Sequence, residues 1–350
     1  MGSTSLAISL DAMGGDNAPD MVVRGADIAR QRFPNVHFLM FGDEARLKPM
    51  LDALPELAKV STIRHTDSIV SMDDKPSQAL RAGRQSSMRL AIDAVHAGEA
   101  GACVSAGNTG ALMAMAKFVL KTMPGIDRPA IASFFPTMRS ESVMLDLGAN
   151  VQCDANNLVQ FAVMGNVFAR LVLGVQQPSM GILNVGAEEL KGHDAVKVAA
   201  AILRDVPLPG KFVGFVEGDD IAKGTVDVVV TDGFTGNIAL KTIEGTVKLY
   251  GHWLKQTFSA SLWSKIAYLF ARPALNGLRA QVDPRRYNGA ILMGLNGICV
   301  KSHGGTDSYG FANAIGVAVN MVQNDAMERM RQDIAQLMAI PGAEAVAAAL

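Results

Sequence analysis

Val226-Asp227-Val228-Val229-Val230-Thr231-Asp232-Gly233-Phe234-Thr235-Gly236-Asn237 is the stretch that decides the fold. Its apolar core, Val228-Val229-Val230, does not alternate with polar residues, which is the pattern of a strand covered on both faces. It ends in a loop of Asp, Gly and Thr and passes into a helical pattern. The same unit recurs along the chain. Short apolar runs predict strands at Leu6–Leu10, His37–Phe41, Val60–Arg64, Ala102–Ser105, Ile131–Phe135, Val143–Leu147, Met180–Val185, Phe212–Val216 and Val226–Thr231. Helical patterns fall between them at Asp20–Arg32, Glu44–Ala53, Ser86–Ala97, Thr109–Lys121, Asn156–Leu173 and Asp194–Arg204. Strands alternating with helices predict βαβ units and an α/β fold, a mostly parallel sheet with helices on both faces. Ala290–Leu295 and Ile298–Ser302 flank Asn296-Gly297, a strong hairpin signal, so a C-terminal β-hairpin is expected. One helix from about Phe311 to Leu337 should follow, then a frayed tail at Ala343–Leu350.

Composition narrows the function. The 350 residues carry 32 Lys plus Arg against 33 Asp plus Glu, so no global basic footprint for nucleic acid exists. Hydrophobic residues at 49% and charged residues at 19% exclude a disordered chain. Cys103, Cys153 and Cys299 are an odd, dispersed set, which fits a reducing cytosol and neither a disulfide framework nor a zinc site. The charge-free stretches Ala100–Ala116 and Leu171–Ala187 fall short of the ~20 apolar residues of a membrane span. Met1–Asp11 has no basic region ahead of a long apolar run, so no signal peptide is read there. With no sharp compositional boundary, one α/β unit over 1–350 with an insertion is expected.

Ligands of open parallel sheets bind beyond the carboxyl ends of the strands. There the chain places Asp11-Ala-Met-Gly14-Gly15-Asp-Asn17-Ala-Pro19, Ser105-Ala-Gly-Asn108-Thr-Gly110, Asp146-Leu-Gly-Ala-Asn150, Asn184-Val-Gly-Ala-Glu188-Glu-Leu-Lys191-Gly192 and Asp232–Asn237. Any α/β protein has glycine turns, but five such loops with amide or carboxylate side chains favour a polar small-molecule or phosphate site. No G-x-G-x-x-G follows the first strand and no G-x-x-x-x-G-K-[ST] occurs, which disfavours the standard nucleotide sites. G-x-S-x-G and H-E-x-x-H are absent as well, and the cysteines read as packing. Without a covalent nucleophile, a reaction here would be a direct transfer run by positioning and electrostatics. Lys191, in a Gly-flanked loop, reads equally as an anion donor or a helix-start surface lysine. Asn237 could donate its amide or cap a helix. His303, in His303-Gly-Gly-Thr306-Asp307, reads as an acid/base, an anion ligand or a structural histidine.

These loops, together with His303-Gly-Gly-Thr306, occur in an order that resembles the PlsX family of phosphate acyltransferases from about residue 6 to 320. The family pattern often has several lysines before Ser86-Ser87-Met88, where this chain keeps Arg81 and Arg84. The resemblance implies a three-layer α/β/α sandwich and a homodimer. It implies attack of inorganic phosphate on the thioester of an acyl–acyl carrier protein, with no cofactor and no metal. The acyl phosphate product would feed phospholipid synthesis through a glycerol-3-phosphate acyltransferase. Carried onto matched positions, Lys191 and Asn237 are the catalytic candidates. Asp11, Gly14, Gly15, Asn17, Asn108, Asn150, Asn184, Glu188, Asp232 and His303 are the substrate-binding candidates. A phosphotransacetylase acting on short acyl-CoA is the alternative.

One segment breaks the charge balance. Residues 248–286 hold seven Lys and Arg against the single acid Asp283, and six aromatics lie between Tyr250 and Phe270, both tryptophans among them. A helical pattern there breaks near Ser259-Ala260-Ser261 and again at Pro273. Basic aromatic helices suit a membrane interface, an acidic partner or a dimer contact. The resemblance assigns 245–287 to dimerisation, with Trp253, Phe258 and Trp263 as membrane contacts. It implies a cytoplasmic protein held peripherally at the inner face of the membrane.

Overall fold

The computed structural model describes residues 6–205 and 208–338. The apolar runs become β1 (Leu6–Asp11), β2 (Val36–Gly42), β3 (Ser61–His65), β4 (Ala102–Ser105), β5 (Ala130–Pro136), β6 (Glu141–Leu145), β7 (Ser179–Leu183), β8 (Lys211–Val216), β9 (Val228–Val230), β10 (Ala290–Met293) and β11 (Ile298–Lys301). The helices are α1 (Asp20–Arg32), α2 (Glu44–Asp52), α3 (Pro55–Ala58), α4 (Pro76–Ala82), α5 (Ser87–His96), α6 (Thr109–Leu120), α7 (Ala155–Val172), α8 (Asp194–Asp205), α9 (Gly218–Lys223), α10 (Gly233–Ser259), α11 (Leu262–Gln281), α12 (Ser308–Gln323) and α13 (Ala326–Met338). All eleven strands form one sheet in the order β3-β2-β1-β4-β11-β10-β5-β6-β9-β7-β8.

Alternate residues of one strand face two separate cores, which makes three layers. Ala102 and Val104 of β4 join Ile8, Phe161, Phe168 and Phe311 on one face. Cys103 between them joins Ile92, Leu112, Met115 and Cys299 on the other. Cys103 and Cys299 are cross-strand neighbours with their Sγ atoms 3.3 Å apart, both free thiols in the core. Polar side chains cap helix starts. Asn108 caps α6 through Ala111 N–H, and Asp154 with Asn157 forms a capping box on α7.

The sheet departs from a simple parallel array in one way that matters. β3, β2, β1, β4 and β11 run parallel, but β10 and β6 are each antiparallel to their neighbour β5. The group β6, β9, β7, β8 is parallel within itself and therefore runs opposite to the first group. The loops after β1, β4 and β11 consequently emerge at one end of the strands, and those after β6, β7 and β9 at the other. Sequence periodicity reports strands but not their direction.

Three boundaries also differ. The 311–337 pattern is two helices, α12 and α13, parted at Asn324-Asp325, where Asp325 has φ of 48°. The expected tail at 343–350 lies outside the described residues. Pro273 lies within α11 and does not end it. The carbonyl that loses its partner four residues earlier belongs to the exposed Leu269, where water can serve it. The β10–β11 connection is the four residues 294–297, longer than a two-residue Asn-Gly turn, with Gly294 at φ of 85° and Leu295 bridged to Thr122.

Candidate active site

The sequence-chosen residues fall into three groups. The first surrounds the ends of β1, β4 and β11. Asp11 is buried and accepts from Ser87 Oγ at 2.6 Å and Ser105 Oγ at 2.7 Å, and burial raises its carboxyl above the usual range. Gly14 is required here, because a Cβ would overlap the Asp11 carboxylate and come within 2.9 Å of Gly107 N. Asp16 N–H donates to Gly304 O at 3.0 Å and Asn17 Nδ2 to Thr306 O at 3.3 Å, joining the first loop to the His303 loop. Asn108 has its Nδ2 on the carbonyls of Ser71, Met72 and Asp74 and its Oδ1 on the α6 cap, so both ends of its amide organise loops.

His303 is exposed at the rim, held by Asn288 Oδ1 on its backbone N–H at 2.9 Å. Gly305 N–H points at its Nδ1 at 3.2 Å. A backbone N–H can only donate, so Nδ1 is the acceptor and neutral His303 carries its proton on Nε2. Desolvation, then the nearby Lys241 ammonium, lowers its pKa below the ordinary 6.5. His303 is therefore a neutral hydrogen-bond donor near pH 7.

The second group lies at the ends of β6 and β9. Asp146 is buried, and its carboxylate receives the N–H groups of Ile131, Gly148, Ala149 and Asn150 and the Asn150 side chain. Burial outweighs these bonds and raises its pKa. Asn150 Nδ2 also reaches Pro129 O, so Asn150 braces this loop. Asp232 caps α10 through Thr235 N–H at 2.8 Å. A Cβ at Gly236 would overlap Asp146 O, which explains glycine in the first turn of α10. Asn237 does not cap the helix. It is exposed one turn in and lies beside Gly148.

The third group is the loop after β7. Asn184 Nδ2 donates to Lys191 O at 3.0 Å and its Oδ1 accepts Val185 N–H. Lys191 is exposed and pairs with Glu188 at 2.8 Å. That pairing raises the Lys191 pKa and lowers that of Glu188. The loop is solvated, so the lysine avoids the desolvation cost that a buried position would impose.

Helix α10 links the first two groups. Asn237, Lys241, Glu244 and Lys248 follow at helical spacing on one face. Lys241, Glu244 and Lys248 all act electrostatically on His303, and Lys241 on Lys301. Sequence reasoning missed Lys301, Asn288, Asp146, Ser87 and Ser105. Lys301 had one signal, a lone cation at the end of a buried apolar run.

Across residues 6–329 the chain matches the sequence pattern of the family described as "Fatty acid synthesis protein". It belongs to that family. Among its relatives, "Phosphate acyltransferase" of Rhodospirillum centenum is 66% identical over 337 residues, covering 96% of this chain and 95% of that one. "Phosphate acyltransferase" of Paramagnetospirillum magneticum is 63% identical over 335 residues, covering 96% and 95%. This family member is accordingly an acyltransferase. Its fold is similar to that of a phosphotransacetylase from Streptococcus pyogenes, with a TM-score of 0.59 at 17% identity, covering 93% of this chain and 95% of that one. Among the described residues of the acyltransferase, no three His, Cys, Asp or Glu side chains group as metal ligands, and no helix is long and apolar enough to cross a membrane.

Proposed function

We propose that this acyltransferase moves the acyl group of acyl–acyl carrier protein onto inorganic phosphate, supplying acyl phosphate to phospholipid synthesis. The observation that carries this is near full-length identity of 63–66% to chains named phosphate acyltransferase. A phosphate oxygen attacks the thioester carbon, the C–O bond forms, the C–S bond breaks and the carrier leaves as a thiol. Asn237 donates its amide to the developing oxyanion. Lys191 neutralises charge that develops during the transfer once it leaves Glu188. His303, protonated on Nε2, supplies a donor to the phosphate or the departing sulfur. The loops at Asp11–Asn17, Asn150, Asn184 and Asp232 hold these groups in place.

The segment 245–287 serves dimerisation and membrane contact in this reading. Trp253 is 55% and Trp263 79% exposed, with Leu262, Leu269 and Phe270 also exposed. Phe258 is half-buried, packs on Tyr268 at 5.5 Å between ring centres and lines the groove of the helix pair. A groove of about 580 Å³ between α10 and α11, lined by Val247, Tyr250, Leu254, Leu275 and Leu278, suits a second copy. The basic face suits an acidic carrier or anionic lipid on the cytoplasmic side. The test is release of free carrier from acylated carrier by the purified chain. Release that depends on phosphate, and is faster than with short acyl-CoA, supports the reading. Release without phosphate, or preference for acyl-CoA, contradicts it.

A further inference from the structure

Lys301 ends β11, in register with Ser105 at the end of β4. It is only 9% exposed. Its Nζ bonds to neutral main-chain carbonyls, Ser302 O and, at 3.5 Å, Ala106 O. Among the described residues no carboxylate lies within ion-pair distance of it. Asp11, the buried acid that acts most strongly on it, is satisfied by two serine hydroxyls. Buried charges are ordinarily paired, so an ammonium bonded only to carbonyls keeps its charge available to an anion. The loops around it pack closely against one another. A Cβ at Gly15 would come within 3.0 Å of Ala106 Cβ and 3.2 Å of Gly304 O, and the residue that follows Gly304 is also glycine. Lys241 and His303 lie close enough to interact electrostatically with Lys301.

The geometry points to Lys301 as a binding residue for the phosphate co-substrate, its ammonium fixed beneath the Asp11–Asn17, Ser105–Asn108 and Ser302–Thr306 loops. This rests on phosphate being the acyl acceptor. The charged and titratable groups facing Lys301 are Asp11 from β1, Asp16 from the loop after it, Cys299 from β11 and Lys241 from α10, with His303 two residues on. Burial lowers the ammonium pKa to about 8. Phosphate binding should therefore weaken as pH rises past that value.

The experiment is calorimetric titration of the full chain with inorganic phosphate, without acyl substrate, at pH 7 and pH 9.5. Wild type, Lys301→Met and Lys301→Arg are compared. Lys301→Met should weaken binding about tenfold or more at pH 7, as loss of a charge-assisted contact does. Wild type should weaken by at least about tenfold between the two pH values, and Lys301→Arg, whose charge persists, should not. Binding by Lys301→Met within twofold of wild type overturns the assignment. Should Lys301→Met not fold, identical pH profiles for wild type and Lys301→Arg overturn it. A wild type that binds phosphate but never transfers acyl groups would refute the proposed function and leave this site standing.

Discussion

Lys301→Met should make the protein more stable at pH 7. The pKa of Lys301 falls from the ordinary 10.5 to about 8 because burial disfavours the ammonium. At 1.36 kcal/mol per pKa unit, keeping it charged at neutral pH costs about 3 kcal/mol. Methionine matches the stem and removes the charge. It also leaves Ala106 O and Ser302 O without a donor, at about 1 kcal/mol each, so a net gain of about 1 kcal/mol remains. The pH dependence is sharper than the size. Below pH 8 both folded and unfolded wild type carry the proton, and the penalty is complete. Between about 8 and 10.5 the unfolded chain binds the proton more strongly, so wild-type stability contributed by this group rises with pH. The advantage of Lys301→Met should shrink through that window by about 3 kcal/mol and reverse sign. Urea unfolding followed by circular dichroism at pH 7, 8.5 and 10 measures it. A variant less stable than wild type at pH 7, with a gap that does not vary with pH, would refute the reasoning.

Four further outcomes are expected. Lys191→Ala should lower kcat by about 10²-fold, the loss typical of one transition-state charge contact, with an unchanged thermal midpoint, since Lys191 pairs only with Glu188 in solvent. Gly236→Ala should destabilise by about 1–3 kcal/mol in thermal unfolding, because its methyl overlaps Asp146 O. His303 titrates below the ordinary 6.5, so the acid limb of kcat/KM should lie below pH 6.5, and Lys241→Gln, which removes a neighbouring cation, should move it upward. Trp263→Glu should abolish sedimentation with anionic vesicles while leaving helix content intact, since the ring is 79% exposed; undiminished binding would assign the aromatic segment to the dimer alone.

The strands were legible because buried apolar runs such as Val228–Val230 have no competing reading, and two helix starts because Asn108 and Asp154 precede apolar periodic segments; at α10 the cap is Asp232, where the sequence pointed to Asn237. Direction was not legible. The reversal at β5–β6 arises from a hairpin turn at residues 137–140 that looks like any other surface loop, and it divides the glycine loops between the two ends of the sheet. Helix α10, running on from the Asp232 loop, carries Asn237 and Lys241 from one group toward the other. That helix also begins at Gly233, well before the basic segment at 248, because nothing interrupts the helical pattern between them. Asn108 and Asn150, chosen as ligand contacts, spend their amides on loop carbonyls. Asp146 drew no attention as a single residue, since its five donors come from two segments, Ile131 of β5 and the loop 148–150.

The central claim is direct transfer to phosphate without an acylated protein. A single turnover of acyl–acyl carrier protein, quenched and read by intact mass of the enzyme and phosphorus NMR of the products, tests it most directly. The account predicts acyl phosphate in one-to-one yield with free carrier, only when phosphate is present, and an enzyme mass that never changes. An acyl group on the enzyme, or free carrier without acyl phosphate, would contradict it.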